Sequence, residues 1–332
     1  MTAADRSADL AAEAAAARRD LRTLRDVFRW AASRFGAADL VFGHGATNGL
    51  DEAAYIVLEG LNLPVDRLEI FLDARLTPAE RDRLVGLVVA RIETRKPAAY
   101  LLGRTYIQGV PFRVDARTIV PRSFIGELLM TGLVGEGGLI DDPGAIGRVL
   151  DLCTGGGSLA ILAARVFPNA RVDAVDVSAD ALAVARQNVE EHGLEDRVRL
   201  IEGDLFAPLG RARYDLIIAN PPYVTAAAVA AFPPEYAAEP VLAHLGGQDG
   251  LDIVRRILAG AIGYVEKDGA LICEVGTGRA ALEQAFPQTP FLWLDTQESE
   301  GEVFLLPAEA LPTAPPRRPA PERPKRPRAG RA

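Results

Sequence analysis

The sequence predicts an α/β protein: a mostly parallel, doubly wound sheet preceded by a small helical domain and joined to it by a β-hairpin. Three observations predict it. From Val149 onward, short apolar runs alternate with segments of helical period, as expected for parallel strands joined by crossover helices. Residues 21 to about 97 read as a small helical domain, from stripes of apolar residues at helical spacing. Between the two lies Thr105-Tyr-Ile-Gln-Gly-Val-Pro-Phe112-Arg-Val114 followed by Thr118-Ile-Val120, which alternates and turns like a hairpin.

Taken in order, residues 1–20 are an Ala-rich extension, a helix former with too little apolar surface to pack strongly, and so expected to be frayed or solvated. Leu21, Leu24, Val27, Phe28, Ala31 and Phe35 then mark a helix that Gly36 can end. Val41-Phe-Gly-His44-Gly45-Ala-Thr-Asn48 is a glycine-broken loop, and Asp51 is placed to cap the next helix through Ala53, Ile56, Val57 and Leu61. His44 has no partner four residues away and only His192 and His244 elsewhere, so it reads as a loop-packing histidine, not a metal ligand. Thr77-Pro78-Ala79-Glu80 starts a third helix with Pro at its first position and Glu three residues after the cap. The expected organisation is a helical substrate-recognition domain over 21–104, a hairpin linker over 105–123, a sheet domain over 124–308, and a disordered Pro/Arg-rich tail over 309–332.

Composition narrows the class. The 332 residues suffice for about two domains, and 49% hydrophobic with 25% charged residues is ordinary for a soluble protein. A net charge of −8 disfavours non-specific nucleic-acid binding and suits a basic protein partner. The tail is the exception: its arginines and Lys325 allow a weak contact with RNA or ribosomes, or serve only solubility. Cys153 and Cys273 lie apart in strand-like runs, which argues against a disulfide framework. Neither a leader nor an apolar run of about 18 residues is evident, so no membrane is expected and the cytoplasm is.

The sheet domain carries the chemistry. Its strands read as Arg148–Cys153, Arg171–Val175, Val198–Ile201 and Asp215–Ala219, followed by Gly269–Val275 and two closing strands, Pro290–Leu294 and Val303–Leu306. Four successive tips bear Asp151, Asp176, Asp204 and Asn220, and open α/β sheets bind ligands at such tips. Thr154-Gly155-Gly156-Gly157 allows close backbone approach, yet it is neither a pyrophosphate fingerprint nor a P-loop, so adenosine without phosphates is favoured. Asp176 is placed for ribose hydroxyls and Asp204 for an adenine amino group, with Leu205 or Phe206 on the ring. Asn220-Pro221-Pro222-Tyr223 ends its strand abruptly, because proline has no N–H with which to continue a sheet. Its acceptors can hold both hydrogens of a planar NH2 group while Tyr223 lies against it, which suits a substrate amide or an exocyclic amine.

Together, Asp151-x-x-Thr154-Gly155-x-Gly157-x-x-Ala160, Asp176, Asp204 and Asn220-Pro221-Pro222-Tyr223 resemble the class I, Rossmann-like S-adenosylmethionine-dependent methyltransferases that modify glutamine at N5. The similarity runs from about Leu21 to Leu306. Val120-Pro121-Arg122-Ser123, Phe42-Gly-His44-Gly45 and Asp51-Glu52-Ala53 resemble the branch acting on large ribosomal subunit protein 3 more than the release-factor branch. Gly156 stands where the family usually has serine, and Phe124 where the branch commonly has proline. The resemblance implies S-adenosylmethionine as cofactor, held by Asp151, Thr154, Gly155, Gly157, Asp176, Asp204, Leu205 and Asn220. It implies catalysis by Asn220, Pro221 and Tyr223, substrate contacts from these with Pro222 and Arg122, and no metal. Three other readings remain: a release-factor glutamine methyltransferase, an N6-adenine nucleic-acid methyltransferase, for which the acidic body lacks a basic stripe, and a non-catalytic ribosome-assembly factor.

Overall fold

The computed structural model describes residues 3–135, 138–297 and 299–312; the basic tail from 313 lies outside the described residues. Six helices come first: α1 (Ala3–Asp20), α2 (Leu24–Ala37), α3 (Gly49–Glu59), α4 (Leu68–Phe71), α5 (Pro78–Thr94) and α6 (Ala98–Leu102). Capping boxes at Thr23/Asp26 and Thr77/Glu80 start α2 and α5 by satisfying otherwise orphaned N–H groups.

Two expectations for this region need correction. α1 is not solvated: Leu10, Ala14 and Ala17 are buried, and α1 packs along α5. Its alanines let the backbones approach, so a narrow stripe of small residues is enough to seat it. The cap of α3 is Asn48, whose side chain accepts from the Leu50 and Asp51 N–H groups; Asp51 sits in the first turn and accepts from Asn48 Nδ2 at 2.7 Å.

The hairpin consists of β1 (Arg104–Ile107) and β2 (Val110–Arg113), closed by Gln108 and Gly109, both at positive φ. That two-residue turn completes the pairing, so Thr118–Val120 runs as an extended loop instead of a strand. Ile107, Val110 and Phe112 pack in one cluster with Ile125 and Leu162, which seats the hairpin on the sheet domain.

After α7 (Phe124–Glu127) and a π-helical turn to Gly132, the sheet domain runs β3 (Arg148–Leu152), α8 (Ser158–Val166), β4 (Arg171–Asp176), α9 (Ala179–Glu191), β5 (Val198–Glu202) and β6 (Tyr214–Ala219). It continues with α10 (Ala226–Ala230), α11 (Asp252–Ala261), β7 (Val265–Glu274), α12 (Arg279–Ala285), β8 (Leu292–Leu294) and β9 (Val303–Pro307). The strand order is β5-β4-β3-β6-β7-β9-β8. β3 to β7 are parallel, and β9 runs antiparallel between β7 and β8.

Strand alternation divides the core. Val149, Leu216 and Ile218 face α8, whereas Leu150, Ile217 and Ala219 face α11. The 3-10 turn Ala308–Ala310 and buried Leu311 extend the packed chain past residue 308, where a tail was expected to begin. The direction of winding reverses between β3 and β6, which leaves a crevice at their carboxyl ends.

Candidate active site

Two adjoining cavities open at this crevice, and Asn220 lines both. The first is lined by Gly155, Asp176, Ser178, Asp204, Leu205, Asn220 and Pro222, and by Leu242 and Leu245 from the segment after β6. Asp176 accepts the Gly155 N–H at 2.8 Å and the Ser178 N–H at 2.9 Å, one on each oxygen. A carboxylate has about four acceptor sites, so capacity for ligand hydroxyls remains. Burial nevertheless pushes its carboxyl up.

Gly155 has φ +54, and a Cβ there would meet nothing within 4 Å, so the open face of the turn is free for a ligand. Gly157, at φ +81, would press a Cβ to 3.1 Å from that of Ala185; its role is packing under α9. Asp151 lies beneath the cavity. It is fully buried and accepts from the Thr154 hydroxyl at 2.5 Å, and its carboxyl is pushed up to about 7 by burial despite that bond. Its Oδ1 makes no well-formed hydrogen bond, although the Ala160 N–H helps hold the charge.

The donor set fits the adenosyl and sulfonium parts of S-adenosylmethionine. Three carboxylates at or under the cavity favour a cationic, hydroxyl-bearing ligand and disfavour phosphates. Arg117, the cation at this rim, is engaged by Asp115.

Two sequence expectations shift here. Asp204 reaches the rim, but one of its oxygens already accepts from Arg256 at 2.7 Å. Leu205, at φ +51, lines the cavity, whereas Phe206 turns into the core, stacked on Tyr264 at 4.7 Å and against Gly260. Of these two side chains, Leu205 is the one available for a ring.

The second cavity is lined by Arg122, Asn220, Pro221, Tyr223, Phe232, Tyr236 and His244. Pro222, expected beside the substrate, lines the first cavity instead, while Pro221 lines the second. Asn220 Nδ2 donates one hydrogen to the Arg122 carbonyl at 3.4 Å, which turns the NH2 group toward that loop and leaves Oδ1 for a ligand; this amide orientation follows from the hydrogen-bond network. Tyr223 donates to Glu274 at 2.9 Å.

Buried charges frame this cavity. Glu239 accepts from the Val120 N–H at 2.9 Å and from both Arg122 Nη atoms at 3.1 Å. His244 Nε2 lies 2.9 Å and His44 Nε2 3.4 Å from Glu239 Oε2, close enough for charge but short of hydrogen-bond alignment. Burial alone would raise the Glu239 carboxyl; the two imidazoles and Arg122 outweigh it and hold it well below the usual range. Four residues earlier, Glu235 accepts the Val41 N–H and pairs with Arg95 at 2.5 Å. Tyr236, between the two acids, meets the His44 ring at 4.3 Å and Phe232 at 4.4 Å. His44 is therefore a packing residue against the cavity wall.

Arg122 touches the cavity as expected, but its charge is spent on Glu239. Sequence reasoning missed Glu235, Tyr236, Glu239 and Glu274. For Glu274 a signal existed, a lone charge ending the apolar run Ala270–Cys273; for the others it was two acids four apart inside a proline-bounded segment.

The description "Methyltransferase small domain" matches residues 138–232. A ribosomal protein uL3 glutamine methyltransferase of Bradyrhizobium diazoefficiens is 58% identical over 89% of this chain and 93% of its own length. Proteins of the same name from Bordetella pertussis and Burkholderia pseudomallei are 53% and 52% identical, covering 89% and 88% of this chain and 98% and 96% of their own. With that identity along nearly the full length of its relatives, and with an acceptor-bearing strand tip shared by two cavities, this chain belongs to the ribosomal protein uL3 glutamine methyltransferase family.

Proposed function

We propose that the protein transfers a methyl group from S-adenosylmethionine to the side-chain amide nitrogen of a glutamine in ribosomal protein uL3. The observation that carries this reading is the place of Asn220, in the wall common to the adenosyl-type cavity and the aromatic-lined one. The cofactor, when bound, supplies an electrophilic methyl group on a positively charged sulfur. Gly155, Asp176, Leu205 and the rim oxygen of Asp204 would hold it, with Asp151 and Thr154 supporting the turn from below.

An amide nitrogen is a poor nucleophile because its lone pair is delocalised, so placement must do what basicity cannot. Asn220 Oδ1 and the Pro221 carbonyl accept the two amide N–H bonds and aim the nitrogen. The same oxygens stabilise the positive charge that grows on it. Tyr223, Tyr236 and Phe232 enclose the aliphatic stem and exclude water. The surplus proton leaves after transfer, so no general base is needed beforehand.

The helices of 21–104 serve substrate recognition, the hairpin links, and the sheet domain carries chemistry. An acidic body suits a basic ribosomal protein and speeds encounter. No helix among the described residues is long and apolar enough to cross a membrane. Action on a ribosomal protein supports a cytoplasmic reading. The test is to incubate the enzyme and labelled cofactor separately with isolated uL3, a release factor and intact large subunits. Label on a uL3 glutamine is expected; label mainly on the release factor, or only on RNA, overturns the reading.

A further inference from the structure

Glu274 ends β7, and it is 1% exposed, lining neither cavity. Both its oxygens are used: Oε1 accepts from the Tyr223 hydroxyl at 2.9 Å, and Oε2 from the Ser123 hydroxyl at 2.6 Å and the Phe124 N–H at 3.0 Å. One carboxylate thus ties the strand-tip segment of Asn220–Tyr223 to the loop of Val120–Phe124. Those segments already meet at Asn220 Nδ2 and the Arg122 carbonyl.

Glycine at 276 completes the arrangement. At φ +51, a Cβ there would fall 2.5 Å from the Tyr223 ring, so the ring packs directly on bare backbone while Glu274 holds its hydroxyl. A buried carboxylate is a poor way to stabilise a core, since its desolvation offsets what its bonds contribute. Burial does push this carboxyl up to about 7 in spite of three donors.

We propose that Glu274 is a positioning residue for methyl transfer, acting through the Tyr223 hydroxyl and the Ser123–Phe124 turn to hold the acceptors of Asn220–Tyr223 in place. The inference rests on the function proposed above. Glu274 touches neither substrate nor cofactor; what it supplies is orientation, to which transfer from a poor nucleophile is most sensitive.

The experiment is a double-mutant cycle of Glu274→Gln and Tyr223→Phe, with kcat and KM measured on isolated uL3, S-adenosylhomocysteine affinity by calorimetry, and thermal melting alongside. Wild-type turnover on uL3 is the control that tests the proposed function by itself. Glu274→Gln keeps an acceptor for one side but turns an NH2 group toward the Tyr223 hydroxyl. Its kcat should fall on the order of 10- to 100-fold, the scale of small misplacements at a reacting centre, while KM and S-adenosylhomocysteine affinity hold within about threefold. The double variant should be no slower than the slower single one, because the two residues act as one unit. An unchanged kcat, a double variant as slow as the product of the singles, or cofactor affinity lost in step with kcat would each overturn the proposal. Should Glu274→Gln not fold, Ser123→Ala, which removes one donor to the same carboxylate, is read in the same cycle and by the same criteria.

Discussion

Arg122 and Glu239 meet through both Nη atoms of the guanidinium at 3.1 Å across 117 residues of sequence, and the Glu239 side chain is wholly buried while Arg122 reaches the second cavity. The pair joins the loop before α7 to the segment carrying Tyr236, and His44 joins the N-terminal helices to the same acid. Replacing Glu239 by Gln leaves Arg122 and its surroundings without their counter-charge. We expect a loss on the order of 3 kcal/mol in unfolding free energy and a raised KM for the protein substrate. Urea titration checks the first and steady-state kinetics the second; a loss below about 1 kcal/mol, the worth of an exposed pair, would contradict the buried coupling.

Asn220→Ala should abolish most turnover and spare cofactor binding. Its Oδ1 is assigned to the substrate amide, and loss of an oriented group at developing charge is worth about 3–4 kcal/mol of transition-state stabilisation. Near-normal kcat on uL3 would remove Asn220 from the mechanism.

Asp176→Ala should do the reverse. It deletes the acceptor proposed for ribose hydroxyls and also frees the Gly155 and Ser178 N–H groups. With about 1–3 kcal/mol for each lost partner, S-adenosylhomocysteine should bind at least about tenfold more weakly in calorimetry. Unchanged affinity would refute the assignment of the β4 tip.

Stability should fall from acid toward neutral pH. Burial pushes the Asp151 and Glu274 carboxyls up to about 7 in the folded chain, against about 4 when unfolded. Between those values the native state holds more protons than the unfolded one, so unfolding free energy decreases as pH rises and levels off above about 7. Each group contributes on the order of a few kcal/mol, at about 1.4 per pK unit. Glu239 works in the other window: its depressed carboxyl stabilises the fold above the unfolded value of about 4 and loses that effect as pH drops further. Urea midpoints between pH 4.5 and 8 should therefore decline, less steeply in Glu274→Gln. A midpoint that climbs from pH 5 to 7 would show that these acids are ionised throughout.

A chain ending at Leu311 should methylate isolated uL3 at the full-length rate, because the residues that line the two cavities among those described all precede it. A loss of more than a few-fold at moderate salt would assign the basic tail a part in substrate capture.

Much of this protein was legible locally. Apolar runs of strand length, each broken by Gly, Pro or an acid, located β3 to β7 and put Asp151, Asp176, Asp204 and Asn220 at their tips. Thr77-Pro-Ala-Glu80 announced α5, and Ser178 announced α9. These signals act over a few residues, through backbone donors, steric limits and periodicity, so they survive in a string of letters.

What only the tertiary structure decided is which distant groups meet. Nothing local distinguishes Glu239 from a solvated acid, and the apolar run before Glu274 does not say what its carboxylate meets; each is buried because donors 51 to 151 residues away converge on it. Phe206 faces the core and Leu205 the cavity because Leu205 takes a left-handed backbone and Tyr264 offers a stacking partner. α1 is seated by a stripe of small side chains whose worth depends on α5 lying against it. Sequence by itself determined the strands, their tips and the acceptor at Asn220, because those follow from the chain's own backbone chemistry. The walls that aim that acceptor were set by topology, because a buried charge is tolerated only where the fold delivers its partners.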